Sequence, residues 1–209
     1  SCTFNVAVNI TQPAAALTGS ITNQVNVSCF GGNNGQVTVA GAQGTAPYQY
    51  SINGVDFQVS GTFTGLANGN YTVIIRDANL CTYPVSVNIT QPATAVAGSI
   101  GAQTNVLCFG NSTGQVTVNG SNGTPPYNYS INGTTFQASG TFTNLAAGPY
   151  TIIVRDANLC TTGVPVTITQ PAAPLTGSIT NQDNVLCFGG NNGQVIVAGA
   201  DGTAPYEYS

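Results

Sequence analysis

The stretch Cys29-Phe30-Gly31-Gly32-Asn33-Asn34-Gly35-Gln36-Val37 recurs as Cys108-Phe109-Gly110-Asn111-Ser112-Thr113-Gly114-Gln115-Val116 and as Cys187-Phe188-Gly189-Gly190-Asn191-Asn192-Gly193-Gln194-Val195. Successive copies stand 79 residues apart, and a fixed period of this kind marks a tandem array of one structural unit. Other landmarks keep the same step: Cys2, Cys81 and Cys160, the Gln-Pro pairs ending at Pro13, Pro92 and Pro171, and the Arg-Asp pairs at Arg76 and Arg155. The period divides the 209 residues into four parts. Residues 1–13 are the C-terminal part of a preceding module, 14–92 and 93–171 are complete modules, and 172–209 are the N-terminal part of a following one. Opening in mid-module on Ser1-Cys2 and stopping at Tyr208-Ser209, the sequence is expected to be a piece of a longer polypeptide.

Within one module, hydrophobic alternation reads as short strands. Gln36-Val37-Thr38-Val39-Ala40 places Val37 and Val39 on one face with period two, the pattern of a half-buried strand. Upstream, 17–22 and 25–28 read as two strand segments leading into the signature. Downstream, Tyr48-Gln49-Tyr50-Ser51-Ile52 alternates again and is closed by Asn53-Gly54, a strong hairpin signal because both residues tolerate positive φ; Phe57-Gln58-Val59 is expected to return beside it. Tyr71-Thr72-Val73-Ile74-Ile75-Arg76 is apolar on both faces at its middle and is expected to be central in its sheet. In the last strand Val85, Val87 and Ile89 alternate with Ser86, Asn88 and Thr90. Leu66, Gly69 and Tyr71, repeated as Leu145, Gly148 and Tyr150, have the spacing of a tyrosine corner, in which a strand-opening Tyr bonds back to the backbone. About seven short strands per module, with no stretch of helical period, predict an all-β fold of tandem immunoglobulin-like β-sandwiches.

Composition narrows the function classes. There are two arginines, no lysine, no histidine and six acids, for a formal charge of −4. Lys and Arg supply most affinity for phosphates, so nucleic acid is not an expected partner. Apolar residues make up 42% of the chain, enough for a folded core, yet they never form the run of roughly 18 that a membrane-spanning helix needs; no membrane insertion of this segment is expected. General acid and base chemistry calls for His, Lys or paired carboxylates, and the acids here are scattered: no catalytic residue is assigned. Asp56 is Thr135 in the next module, while Asp77 and Asp156 recur beside Arg76 and Arg155, where a turn or a local ion pair is the expected role. One recurring acid per module is too few for calcium, and without His or Cys-x-x-Cys spacing zinc is excluded; no metal or cofactor is expected.

Six cysteines then point to disulfides and to export into an oxidising compartment. Two pairings fit the period: Cys29 with Cys81 and Cys108 with Cys160 inside modules, or Cys2–Cys29, Cys81–Cys108 and Cys160–Cys187 across junctions. Chain entropy differs by only about 0.5 kcal/mol between these loops. The within-module pairing is preferred because an elongated array would hold junction cysteines apart; it leaves Cys2 and Cys187 to partners outside these residues.

The ordered set Cys-Phe-Gly-Gly-Asn-Asn-Gly-Gln-Val, Gly-Thr-Ala-Pro-Tyr-Gln-Tyr-Ser-Ile-Asn-Gly, Leu-Ala-Asn-Gly-Asn-Tyr-Thr-Val and Asp-Ala-Asn-Leu-Cys-Thr resembles the SprB-type repeat of giant surface adhesins of gliding Bacteroidetes. Leu80 and Leu159 depart from the pattern, standing where glycine is expected. The resemblance implies a secreted, extracellular cell-surface filament that grips surfaces or polysaccharides and meets other filament chains. Two other roles compete with an adhesive filament: an array of carbohydrate-binding modules using Tyr48, Tyr50, Tyr83, Tyr127 and Tyr129 as stacking faces, and a passive spacer in a secreted enzyme. Tyr48 and Tyr50, two apart on one strand, share a face that is expected to pack in the core, and Tyr83 is replaced by Gly163 in the next module. Residues 17–51 match 175–209 except at Val25/Asp183, Ser28/Leu186, Thr38/Ile196, Gln43/Asp201 and Gln49/Glu207, whereas the intervening copy differs far more. Duplication of a module pair leaves such a record, and it suggests that length is what grew.

Overall fold

A computed structural model describes residues 2–209; Ser1, the first residue of segment 1–13, lies outside them. The chain separates into two compact units, Ser1–Ala95 and Val96–Ser209. In the first unit the strands are β1 (Thr18–Val25), β2 (Gly35–Ala42), β3 (Gln49–Ser51), β4 (Thr62–Leu66), β5 (Gly69–Arg76) and β6 (Thr82–Ile89). They form two antiparallel sheets of three strands, ordered β1-β2-β4 and β3-β5-β6. The second unit repeats this with β7 (Ala97–Thr104), β8 (Gly114–Ser121), β9 (Asn128–Ser130), β10 (Thr141–Leu145), β11 (Gly148–Arg155) and β12 (Thr161–Ile168). It then adds a hairpin of β13 (Thr176–Asp183) and β14 (Gln194–Ala200). These are tandem immunoglobulin-like β-sandwiches.

Alternation decides which face goes inward. Val37 and Val39 of β2, Val73 and Ile75 of β5, and Val85, Val87 and Ile89 of β6 are buried, joined by Leu17, Val27, Tyr50 and Leu66. All eleven positions recur, 79 residues on, as buried residues of the second unit, from Val96 and Val106 to Val166 and Ile168. Their β-branched side chains suit a pleated, half-buried surface, and their removal from water is the main term holding the sheets face to face. β5 is central in its sheet, flanked by β3 and β6, as its apolar middle predicts.

Six strands form where about seven are expected. The segment 17–22 becomes β1, which runs on to Val25 with a register slip between Ile21 and Asn23, while 26–28 of the second expected segment forms no strand. The slip recurs between Ile100 and Ala102 and between Ile179 and Asn181. β1 is an edge strand, and a bulge there makes the edge a poor template for stray pairing. The expected return strand 57–59 shrinks to one bridge, Tyr50 to Gln58. Asn53 Oδ1 accepts from the N–H groups of Val55 and Asp56, so the turn is held by a side chain, and Phe57 is drawn under Arg76, whose guanidinium carbon lies 3.7 Å from the ring centroid. Pro84 sits on β6, also an edge, where a missing N–H costs no ladder bond on the open side.

One close approach constrains the sandwich strongly. The Val39 N–H donates to Gly61 O at 2.9 Å, and a Cβ on Gly61 would lie 2.0 Å from Val39 O. Gly140 and Val118 repeat the geometry. Because the obstructing atom is backbone carbonyl, no rotamer change relieves it. Gly61→Ala is therefore expected to destabilise its module by about 2–3 kcal/mol, read as a lowered urea midpoint with unchanged slope.

Candidate functional site

The positions that the sequence singles out gather at the two ends of each module. At the N-terminal pole, where β1 begins, Asp77 is buried and saturated by the backbone. Its Oδ1 accepts from the N–H groups of Asn79 and Cys81, both at 2.9 Å, and its Oδ2 from the Thr45 N–H at 3.0 Å. Asn79 Nδ2 also donates to Thr45 Oγ1 at 2.9 Å. Asp156 repeats each of these bonds with Asn158, Cys160 and Thr124. The carboxylate thus locks the β5–β6 turn onto the loop after β2, and Leu17 and Gly44 close the same corner. Arg76 does not pair with it: one Arg76 N–H donates to Gln49 Oε1 at 2.7 Å while the plane covers Phe57. A carboxylate with both oxygens committed to N–H donors is a structural brace.

Leu80 and Leu159 occupy the left-handed region, at φ 65° and 67°. The turn therefore keeps the glycine conformation with a leucine in it, at a cost of roughly 1–2 kcal/mol.

At the opposite, C-terminal pole the signature loop is clamped to the end of β6. The Val27 N–H donates to Thr90 O at 2.9 Å, the Thr90 N–H to Asn26 Oδ1 at 3.1 Å, and the Gly31 N–H to Gln91 Oε1 at 2.8 Å. Gln24 Nε2 reaches Asn88 O at 2.7 Å. In the second unit Val106, Thr169, Asn105, Gly110, Gln170 and Gln103 form the same set. Sequence reading treats Gln91-Pro92 as a strand end and misses the clamp; its signal is the 79-residue recurrence of Gln-x-Asn before each signature and of Gln-Pro after each last strand.

The two poles explain the cysteines. Cys29 lies beside Gln91, at the far end of β6 from Cys81, with the eight residues of β6 between them. Eight strand residues span roughly 25 Å, whereas a disulfide needs Cα atoms within about 7 Å. The expected bonds Cys29–Cys81 and Cys108–Cys160 are accordingly not formed: Cys81 and Cys108 are exposed free thiols, as are Cys2 and Cys187. Cys29 and Cys160 are not among the free thiols.

The tyrosines turn inward. Tyr50 is buried, and its hydroxyl accepts from the Gly41 N–H at 3.1 Å. Tyr48 and Tyr83 pack against the core, and the Tyr48 hydroxyl donates to Gln43 O. Tyr127 and Tyr129 repeat these hydroxyl bonds with Asn122 and Gly120. Tyr71 Oη donates to Ala67 O at 3.1 Å and Tyr150 Oη to Ala146 O at 3.0 Å, the bonds of a tyrosine corner after Leu66 and Leu145, with Gly69 and Gly148 opening the next strand. Among the described residues no group of His, Cys, Asp and Glu is placed to hold a metal ion, and no helix is long and apolar enough to cross a membrane.

The family model described as the SprB repeat matches residues 18–57, 100–136 and 176–209. No protein of established function is significantly similar in sequence. Three N-terminal domains of the Hoc outer capsid protein of bacteriophage RB49 align over 90% of this chain and 71% of theirs, at 14% identity and a TM-score of 0.41. Fibronectin(III)-like modules of Clostridium thermocellum CbhA align over 73% and 95%, at 13% identity and 0.34. A C-terminal 282-residue fragment of intimin, solved with the intimin-binding domain of its translocated receptor, aligns over 76% and 67%, at 17% identity and 0.36.

Two substitutions separate brace from strain. Asp77→Ala leaves three N–H donors without their acceptor and is expected to cost about 2–4 kcal/mol of module stability. Leu80→Gly is expected to stabilise by about 1 kcal/mol by relieving the positive φ. Thermal unfolding of each variant checks both signs.

Proposed function

The chain belongs to the SprB repeat family, and on that premise we propose that it is the structural and adhesive repeat region of a secreted bacterial cell-surface filament, supplying reach and attachment as gliding adhesins do. The observation that carries the reading is the invariance of construction from copy to copy. All eleven core positions recur at a fixed period, and both poles repeat their hydrogen bonds. What the period preserves is the means of folding a module. The side chains that could do chemistry are occupied in holding that fold, since the recurring carboxylates brace a turn and the paired tyrosines bond to backbone. The reading assigns the repeats no catalytic, metal or cofactor role. It places them outside the cell, at its surface, with surfaces, polysaccharides and other filament chains as partners.

Copying modules adds length without adding a site, so attachment should follow contour length. Removing module pairs one after another from the native polypeptide is expected to shorten the filament in proportion, to leave the remaining modules folded, and to weaken surface attachment gradually. Loss of attachment on removing one particular pair, with length restored by other modules, would point to a discrete sugar-binding site instead.

A further inference from the structure

The chain holds two cations, Arg76 and Arg155, one in each complete module at the same point of the period. In the second module β11 buries Ile152 and Val154 and turns Ile153 and Arg155 to the outer face of its sheet. Arg155 pairs in register with Asn128 of β9 on one side and Thr161 of β12 on the other. Its guanidinium carbon lies 3.6 Å from the centroid of the Phe136 ring, and its Nε is buried without a hydrogen-bond partner. With one face covered and Nε buried, the Nη end is what is left for a partner. Among the described residues none accepts a hydrogen bond from the Arg155 side chain.

In the first module the same face is closed by two acceptors. Gln49 Oε1 accepts from the Nη end of Arg76 at 2.7 Å, and Asp56 Oδ2 accepts from Asn53 Nδ2 at 2.8 Å. The second module keeps both donors and lacks both acceptors. Asn128 stands in place of Gln49 and is one methylene shorter, and Thr135 stands in place of Asp56. The turn that carries Phe136 is otherwise unchanged. Asn132 Oδ1 accepts from the Thr134 and Thr135 N–H groups and from Ser130 Oγ, which leaves Asn132 Nδ2 without an acceptor among the described residues. Nor can the module supply a carboxylate from elsewhere. Asp156 is its one acid, and both Asp156 oxygens are committed to backbone N–H groups.

We infer that Arg155, with Asn132 of the turn that carries Phe136, forms an anion subsite that takes the carboxylate of an acidic polysaccharide. A guanidinium is a planar fork of N–H donors that matches a carboxylate with two parallel hydrogen bonds. Stacking on Phe136 fixes that fork before a ligand arrives, so less side-chain freedom is lost on binding. A uronic acid offers both chemistries on one ring, a carboxylate for the guanidinium and hydroxyl oxygens for the amide N–H of Asn132. The first module satisfies the same donors internally and has nothing to offer such a ligand. The choice of a polysaccharide rests on the surface-attachment reading above, and the preference for an anion rests on the unpaired donors. To that reading it adds a site that is copied along with the length, so that many weak contacts act together and attachment still falls off gradually as module pairs are removed.

Because the chain has two arginines, the arginine Nε–H region of its proton–nitrogen NMR spectrum holds two signals, which Arg76→Lys and Arg155→Lys assign. The test titrates the 209-residue chain with a tetramer of galacturonic acid, with the neutral tetramer of galactose, and with sodium sulfate. The Arg155 signal is expected to shift saturably with the galacturonic acid tetramer while the Arg76 signal stays in place, and neither is expected to move with the neutral one. Asn128→Gln restores the missing acceptor and should weaken binding about tenfold; Arg155→Gln should remove it. Changing Gln49→Asn and Asp56→Thr together should make the Arg76 signal respond as well. No shift of the Arg155 signal, equal shifts of both signals, or unchanged binding by the Asn128→Gln chain overturns the proposal. Saturation by sulfate at the same concentration shows a site for any small oxyanion and overturns the polysaccharide assignment. If Arg155→Gln unfolds its module, the Asn128→Gln comparison decides, since it leaves the arginine on its ring. The titration needs no filament, so a negative result leaves the attachment reading standing, and failure of that reading leaves a positive titration standing.

Discussion

The length and alternation of β6 set the terms for each module. Val85, Val87 and Ile89 point inward while their neighbours face solvent, and the strand pairs along its whole length with β5. That register gives the sandwich one of its inner faces. It also separates two polar constellations by the length of an eight-residue strand: the Asp77 turn before it and the Thr90-Gln91 clamp after it. Cys29 and Cys108 belong to one end of their modules, Cys81 and Cys160 to the other. The chemistry available to a module is therefore polar in the geometric sense, and no arrangement of side chains within one sandwich can bring its two thiols together.

Both ends solve the same physical problem. Loops at the edge of a sandwich carry backbone N–H groups that no strand satisfies, and leaving them buried without acceptors is costly. At one end a single buried carboxylate accepts three of them. At the other, the amide oxygens of Asn26 and Gln91 are the acceptors. Neutral amides suffice because the loop is exposed enough for water to share the load. This is also how a chain with so few charges holds its turns: Asn, Gln and Thr replace ion pairs as the local fasteners, and the interactions that result depend little on salt.

The closeness of alternate modules can be placed on the fold. The five positions at which residues 17–51 differ from 175–209 are all exposed or half-buried in the first module. None is among its eleven core positions. Between these two stretches the divergence has thus fallen on exposed and half-buried positions while the core residues they share stayed constant. Such a pattern keeps each copy foldable, and adjacent modules of unlike sequence are less able to exchange strands, a recurring failure of repeat proteins.

The sequence alone determined the period, the all-β class and the identity of most strands, because a period of two in β-branched residues and a recurrence of 79 are local, countable facts. It placed Val37, Val39, Val85, Val87 and Ile89 inward, and spaced Tyr71 for the bond its hydroxyl makes to Ala67. Only the tertiary structure decided that Phe57 leaves its strand to lie under Arg76, that Asp77 serves a turn and not an ion pair, and that Cys29 and Cys81 lie at opposite ends of their module. Sequence separation says how much entropy a cross-link removes, and the two pairings that fit the period differ little by that measure. It says nothing of direction. Whether Cys29 and Cys81 share an end of the module depends on the direction each intervening segment runs, and the short return at Gln58, a single bridge to Tyr50 and not a full strand, is one of the traversals that puts them at opposite ends.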